Sequence, residues 1–94
     1  MTSPFKKLKS AWMKDRAFRD AYERLKPEFA LALALITARE KAGMTQAQVA
    51  RRMGTTQSVV ARIESGQNQP NLKTLGRYAS AVGRRIEVKL VAVA

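Results

Sequence analysis

The sequence predicts a mainly α-helical domain that ends in one β-strand. Two observations predict the helices: glycines follow several helical hydrophobic patterns, and residues that favour helix starts lie just before those patterns. The tail RRIEVKLVAVA predicts the strand, because its apolar residues alternate with Glu87 and Lys89. At 94 residues the chain is long enough for one small hydrophobic core.

Six helices are predicted, over roughly residues 4–13, 15–25, 27–42, 46–53, 57–65 and 72–82. Pro27 suits the first position of the third helix, and Thr45 with Gln48 forms a capping box before the fourth. Thr56 and Asn71 are the predicted N-caps of the last two helices. This order predicts a helical extension over 1–26, a central domain over 27–83 and a strand over 84–94.

Composition argues against an enzyme. The chain has no cysteine and no histidine, so thiolate metal ligands and the commonest general base are missing. The seven carboxylates are scattered along the sequence instead of paired. We therefore expect no catalytic residues, no metal, no cofactor and no small-molecule substrate. A small basic ribonuclease that works with arginine and lysine alone stays open as an alternative.

The formal net charge of +11 favours polyanionic partners, although good solubility explains part of it. The longest apolar run, Phe29–Ala38, is about half the length that a membrane-spanning helix needs, so it predicts a core helix. The first residues are basic but no apolar stretch follows them, which argues against a signal peptide. These features predict a cytoplasmic protein, with a basic helix lying on a membrane over residues 4–14 as a further alternative.

The segment TQAQVARRMGTTQSVVARIE has the pattern of a helix-turn-helix. Ala50 is small where the two helices would cross closely, and Gly54 permits the tight turn between them. Four apolar residues are spaced to fill the angle between the helices: Val49, Met53, Val60 and Ile63. The alternative is an ordinary helical hairpin that only packs.

The second helix of this segment has an uncharged polar side. On a helical wheel Gln57, Ser58, Ala61 and Arg62 lie within roughly 140° of one another, and Val59, Val60 and Ile63 lie opposite. Glutamine can pair with adenine through two hydrogen bonds, and arginine can do the same with guanine. This pattern indicates a helix that reads DNA bases.

With these motifs the sequence resembles the lambda-repressor-like (Cro/repressor, XRE) helix-turn-helix family over residues 28–83. WMKDRAFRDAYERLKPEFALALALITARE, joined to GMTQAQVARRMGTTQSVVARIESG, more closely resembles HigA-type antitoxins of toxin–antitoxin operons. The resemblance implies a lambda-repressor-like helical bundle. It also implies a homodimeric repressor that binds double-stranded operator DNA of its own operon and silences a small HigB-like ribonuclease toxin. A phage-like repressor without a toxin is the rival interpretation.

The resemblance also implies which residues contact DNA. Gln57, Ser58 and Arg62 would meet base edges, and Gln46 would touch a phosphate and brace Gln57. The remaining expected contacts, at or near phosphates, are Thr55, Thr56, Asn68 and Lys73. The family often has lysines after the glycine that matches Gly66, but this chain has Gln67-Asn68-Gln69, which weakens the expected electrostatic clamp there.

Arg39 and Glu64 match a family pair that ties the first core helix to the end of the reading helix. A solvated surface pair, which would contribute under about 1 kcal/mol, is the alternative. Aromatic residues before Pro27 are the candidate toxin contacts, although sealing the core is their more common role: Phe5, Trp12, Phe18 and Tyr22.

Overall fold

The computed structural model describes Arg24 and residues 26–93, and within this part the protein is helical. The four helices are α1 (Pro27–Lys41), α2 (Gln46–Met53), α3 (Gln57–Ile63) and α4 (Leu72–Ala81). They agree with four of the six predicted helices to within two residues at each end. The two helices predicted before Pro27 fall, apart from Arg24, outside the described residues.

The predicted starts of the four described helices are present. Pro27 is the first residue of α1. The side chain of Thr45 accepts from the Gln48 backbone N–H at 3.1 Å, and the Gln48 side chain accepts from the Thr45 backbone N–H at 2.8 Å. Thr56 and Asn71 accept in the same way at the starts of α3 and α4. These bonds satisfy backbone donors that the first turn of a helix leaves unpaired.

The core lies where α2 packs against α3 and α4, and α4 also packs against α1. Its fully buried side chains are Val49, Val60 and Tyr78. The other residues predicted to fill the helix-turn-helix angle, Met53 and Ile63, are buried as well. Ala50 is 3% exposed at the crossing of the helices, where a larger side chain would separate them.

The turn between α2 and α3 depends on a left-handed residue. Gly54 has φ +71°, a conformation that side chains with a Cβ rarely adopt. The N–H of Gly54 bonds back to the last turn of α2, and the N–H of Thr55 reaches the Ala50 carbonyl at 2.9 Å. The chain can therefore reverse within three residues and start α3 at once.

Two arginines tie the C-terminal ends of α2 and α4 to each other. Arg52 of α2 donates from Nη1 to the Ala81 carbonyl at 3.0 Å, at the end of α4. Arg77 of α4 donates from Nη2 to the Met53 carbonyl at the end of α2. Each guanidinium thus meets the negative end of the other helix, which fixes α2 against α4.

The predicted strand is absent from the described part of the tail. Residues 84–93 form neither helix nor strand. The reason is that a strand needs a neighbouring strand for its backbone hydrogen bonds, and the described part of this single chain is helical wherever it has regular structure. Apolar and charged residues of this segment are both exposed, with Val88 at 69% and Leu90 at 99%.

Candidate nucleic-acid interface

Helix α3 presents the polar side that the sequence predicted. Gln57, Ser58, Ala61 and Arg62 are all exposed, while Val60 is fully buried. We call these four exposed residues the reading face. It combines the amide of Gln57 and the guanidinium of Arg62, which can each form two hydrogen bonds to one base edge, with the small residues Ser58 and Ala61.

Val59 is the residue of α3 that the helical wheel misplaced. It was expected on the buried side, but it is 37% exposed. Val59 lies in the first turn of α3, and the buried residues of this helix are Val60 and Ile63 alone. The apolar side of α3 is therefore narrower than the sequence pattern indicated.

Polar residues flank the reading face at both ends. Thr56 is exposed and its hydroxyl oxygen caps α3, leaving the hydroxyl hydrogen as a donor. Thr55 is half-buried in the turn before it. Asn68 is exposed in the loop after α3, and Lys73 is exposed in the first turn of α4. Gln69 donates to Glu28 of α1 at 3.0 Å, which anchors the loop that carries Asn68.

Arg39 and Glu64 form a buried ion pair at the end of α3. Nε of Arg39 donates to Oε2 of Glu64 at 2.8 Å, and Nη2 donates to Oε1 at 3.0 Å. The Glu64 side chain is 3% exposed and that of Arg39 is 12% exposed. Nη1 of Arg39 also donates to the Met44 carbonyl at 3.1 Å. The geometry is that of a two-point, shielded pair and differs from a solvated surface pair.

Burial and charge act in opposite directions on Arg39. Loss of water lowers the pKa of its guanidinium, but the hydrogen bond to Glu64 and the charge of that carboxylate raise it, and the net pKa lies above its ordinary value. Arg39 therefore stays charged at any pH at which the protein is folded.

The resemblance implies that Gln46 touches a phosphate and braces Gln57, and the structure shows it bonded to Glu64. Its Nε2 donates to Oε1 of Glu64 at 3.0 Å. The acceptor is a carboxylate, which makes this a charge-assisted hydrogen bond. Gln46 remains at the first position of α2, partly exposed, with its side-chain oxygen available as an acceptor.

Tyr78 is the residue that sequence reasoning missed. Its ring is fully buried in the core, and its hydroxyl donates to Oε2 of Glu64 at 2.5 Å, with the Leu35 carbonyl 3.0 Å away. Burial, followed by the hydrogen bond to Glu64 and the charge of Glu64, raises the pKa of Tyr78 well above its ordinary value. A tyrosine on the apolar side of an otherwise aliphatic helix is a signal that could have indicated a buried hydroxyl partner.

Among the residues that the structure describes, no group of three or more acidic, histidine or cysteine side chains is placed to hold a metal ion. Within the same residues, no helix has the length and apolar character needed to span a membrane. The predicted toxin contacts Phe5, Trp12, Phe18 and Tyr22 lie outside the described residues.

The chain is similar to two groups of known proteins. It is 36% identical over 76 residues to "Antitoxin HigA1" from two strains of Mycobacterium tuberculosis. The aligned residues are 81% of this chain and 51% of the relative. It is 37% identical over 59 residues to an "Uncharacterized HTH-type transcriptional regulator" from Haemophilus influenzae, which covers 63% of this chain and 60% of that protein. The chain thus spans between half and two thirds of the length of these relatives. No solved structure matches it significantly.

The family model described as "Helix-turn-helix" (HTH_3) matches residues 35–88, more than half of the chain. The match contains the whole of α2, α3 and α4, which carry most of the predicted DNA contacts. Helix-turn-helix domains are DNA-binding modules, so the match confirms the prediction that the chain is not an enzyme. The buried angle between α2 and α3, the left-handed turn at Gly54 and this match agree: the chain belongs to the helix-turn-helix family HTH_3.

Proposed function

We propose that this protein is a sequence-specific transcriptional repressor whose α3 reads base edges in the major groove of operator DNA. One observation supports the proposal most strongly: α3 is buried on one side and presents Gln57, Ser58 and Arg62 on the other. A helix fits the major groove, and these side chains are of the kind that discriminate bases there. Binding to DNA also fits the cytoplasmic location expected from the sequence.

The polar residues around the reading face suit the phosphate backbone. Thr55 and Thr56 precede α3, while Asn68 and Lys73 follow it, so the two sets flank the helix that would enter the groove. Gln46, at the start of α2, keeps the second hydrogen of its Nε2 as a donor beside the backbone N–H groups of a helix N-terminus. Phosphate contacts of this kind fix the position of a protein on DNA without selecting a sequence.

The experiment begins with selection of duplexes from a random library by the wild-type protein, followed by affinity measurements at several salt concentrations. Gln57→Ala and Arg62→Ala should each weaken binding to the selected duplex by about 1–3 kcal/mol and relax the base preference at one position per half-site. Lys73→Ala should weaken binding to all sequences alike and reduce the salt dependence.

Arg51→Ala is the matched control for Arg62→Ala, because Arg51 is also an exposed arginine but lies in the last turn of α2. It should leave base preference unchanged. Equal losses on selected and scrambled duplexes for Gln57→Ala and Arg62→Ala would contradict a base-reading role.

The same chain acts, in this proposal, as the antitoxin of its operon, neutralising a HigB-like ribonuclease toxin by direct binding and repressing its own transcription. The support is the similarity to an antitoxin over 81% of this chain. The residues before Pro27 are not needed for the helix-turn-helix and are available for a toxin. Trp12 and Phe18 are the proposed anchors, because large aromatic side chains dominate interface energetics.

Deletion of residues 1–25 tests the antitoxin role with two readouts. The shortened protein should bind the selected duplex within a few fold of wild type, yet fail to rescue growth when co-expressed with the toxin encoded beside its gene. A folded deletion variant that still rescues growth would move the toxin site onto the helical domain. Absence of any neighbouring toxin gene would favour a phage-like repressor, and RNA cleavage by the isolated chain would favour a ribonuclease.

The proposed repressor is a homodimer that forms through the C-terminal tail. Leu90 and Val93 are 99% and 97% exposed, and residues 84–93 have no strand partner in the described part of this chain. Pairing with the same segment of a second copy would supply the missing backbone partners and place apolar side chains of the two copies next to each other. Two recognition helices about 34 Å apart would then match a palindromic operator.

A chain that ends after Gly83 tests the dimer, because the helices end at Ala81 and should fold without the tail. The truncated protein should sediment as a monomer and lose most of its operator affinity. A truncated protein that remains a dimer would place the contact elsewhere.

A further inference from the structure

The carboxylate of Glu64 is bound by every other helix of the described domain. Glu64 directly follows the last residue of α3, and its side chain accepts hydrogen bonds from Arg39 of α1, Gln46 of α2 and Tyr78 of α4. We call these four residues the Glu64 network. The end of the reading helix is therefore fixed to three surrounding helices through one buried group.

The donors divide evenly between the two carboxylate oxygens. Oε2 accepts from Nε of Arg39 at 2.8 Å and from the Tyr78 hydroxyl at 2.5 Å. Oε1 accepts from Nη2 of Arg39 at 3.0 Å and from Nε2 of Gln46 at 3.0 Å. A planar guanidinium holds a carboxylate in its own plane through two parallel hydrogen bonds, so Arg39 fixes the carboxylate relative to α1. The additional donor on each oxygen fixes it relative to α2 and α4 as well.

We infer that Tyr78 and Gln46 are positioning residues for DNA reading: through Glu64 they set the orientation of α3 and thereby the base preference of the reading face. This inference rests on the proposed function and deepens it. Tyr78 is fully buried, so it acts without touching DNA. Gln46 acts from the partly exposed start of α2, where a phosphate contact is the competing role.

The two roles of Gln46 predict different measurements. A phosphate contact contributes to binding of every sequence and increases the salt dependence of binding. A positioning contact acts only where base edges must be met with correct geometry, so its loss lowers affinity for the selected duplex and leaves affinity for scrambled duplex unchanged. The ratio of the two affinities therefore separates positioning from general binding.

The variants are Tyr78→Phe, which removes only the hydroxyl, and Gln46→Met, which removes the amide and keeps the chain length. For each we expect the selected-to-scrambled affinity ratio to fall about tenfold, with salt dependence unchanged, in protein that circular dichroism shows to be folded at the assay temperature. For Gln46→Met this loss should exceed any loss on scrambled duplex.

Two controls separate positioning from lost stability. Gln48→Met is the matched change on the same helix, because Gln48 closes the capping box and does not contact Glu64. Leu75→Val trims a buried side chain of α4 that lies outside the Glu64 network. Both should lower the thermal midpoint while leaving the affinity ratio at the wild-type value.

The possible results are distinct. The inference is overturned if the selected-to-scrambled affinity ratio is unchanged in both test variants. It is also overturned if this ratio falls as much in the two controls as in the test variants. A uniform loss with weaker salt dependence in Gln46→Met assigns Gln46 to a phosphate and overturns its positioning role. If Tyr78→Phe does not fold, Gln46→Met decides alone. If the wild-type protein selects no sequence, the proposed function itself fails before the variants are compared.

Discussion

Removal of the Arg39 side chain should destabilise this fold more than any single surface change. Arg39→Ala deletes the two bonds to Glu64 and the bond from Nη1 to the Met44 carbonyl. It leaves the Glu64 carboxylate, whose side chain is 3% exposed, without a cationic partner. Stranding one member of a buried pair costs about 3–5 kcal/mol, whereas breaking an exposed pair costs under about 1 kcal/mol.

The expected loss of stability for Arg39→Ala lies at the lower end of that range, because part of the Glu64 network remains. Gln46 and Tyr78 still donate to Glu64 after Arg39 is removed, so the carboxylate keeps one donor on each oxygen. We therefore expect a loss of about 3 kcal/mol in the free energy of unfolding. A domain of this size has only about 5–14 kcal/mol in total, so the variant should fold but with a much smaller margin.

Urea denaturation followed by circular dichroism measures this loss as a shift in the midpoint at an unchanged slope. Arg51→Ala, an exposed arginine of α2, is the control and should change stability by less than about 0.5 kcal/mol. A double-mutant cycle with Glu64→Gln isolates the pair, because the second change should cost far less once Arg39 is absent. A loss below about 1 kcal/mol for Arg39→Ala would refute the argument from burial.

Two further predictions follow from the same structure. The pKa of Tyr78 is raised in the folded protein from an ordinary value of 10.0, so the unfolded chain loses this proton first as pH rises. The contribution of the Tyr78 hydroxyl to the free energy of unfolding is complete below pH 10. Above pH 10 it declines by up to about 1.4 kcal/mol per pH unit. Urea titrations of Tyr78→Phe, run in parallel with the wild type, should lack this decline. If both proteins lose stability equally between pH 9 and 11, the hydroxyl is not the group that titrates. Gly66→Ala should cost about 1–3 kcal/mol, because Gly66 has φ +76° and a Cβ there would lie 2.5 Å from the Phe29 ring. Gly43→Ala is its control, with φ +68° and no atom within 4 Å of the added Cβ, so thermal denaturation should show the smaller loss for Gly43→Ala.

The parts of the fold that the sequence predicted depend on residues close together in the chain. Thr45 and Gln48 of the capping box are three positions apart, and the caps at Thr56 and Asn71 also bond to a residue three positions on. The left-handed turn requires only Gly54 and its immediate neighbours. Local geometry of this kind is determined by residue type and spacing, which a sequence displays directly.

The errors and omissions concern groups that are distant in sequence or belong to another chain. Tyr78 is 43 residues from Leu35 and 14 from Glu64, so periodicity marks it as apolar and does not reveal its hydroxyl partners. Gln46 is 18 residues from Glu64, so only the folded positions of α2 and α3 show that the two side chains are hydrogen-bonded. The tail pattern predicted a strand that the described residues do not form, because a strand also needs a partner that the described part of one chain lacks.

A buried ion pair is an unexpected way to stabilise a domain with so small a core. Removing two charges from water costs several kcal/mol per ion, and apolar residues of similar volume often stabilise a protein equally well or better. Apolar contacts have little directional preference, so they tolerate a range of helix orientations. The four hydrogen bonds to Glu64 depend on distance and angle and therefore favour one orientation of the helix. For a helix that only packs, this would matter little. In the proposed function, Gln57 and Arg62 meet base edges within hydrogen-bond distance, so the orientation of α3 is the property that a polar network at its end would protect.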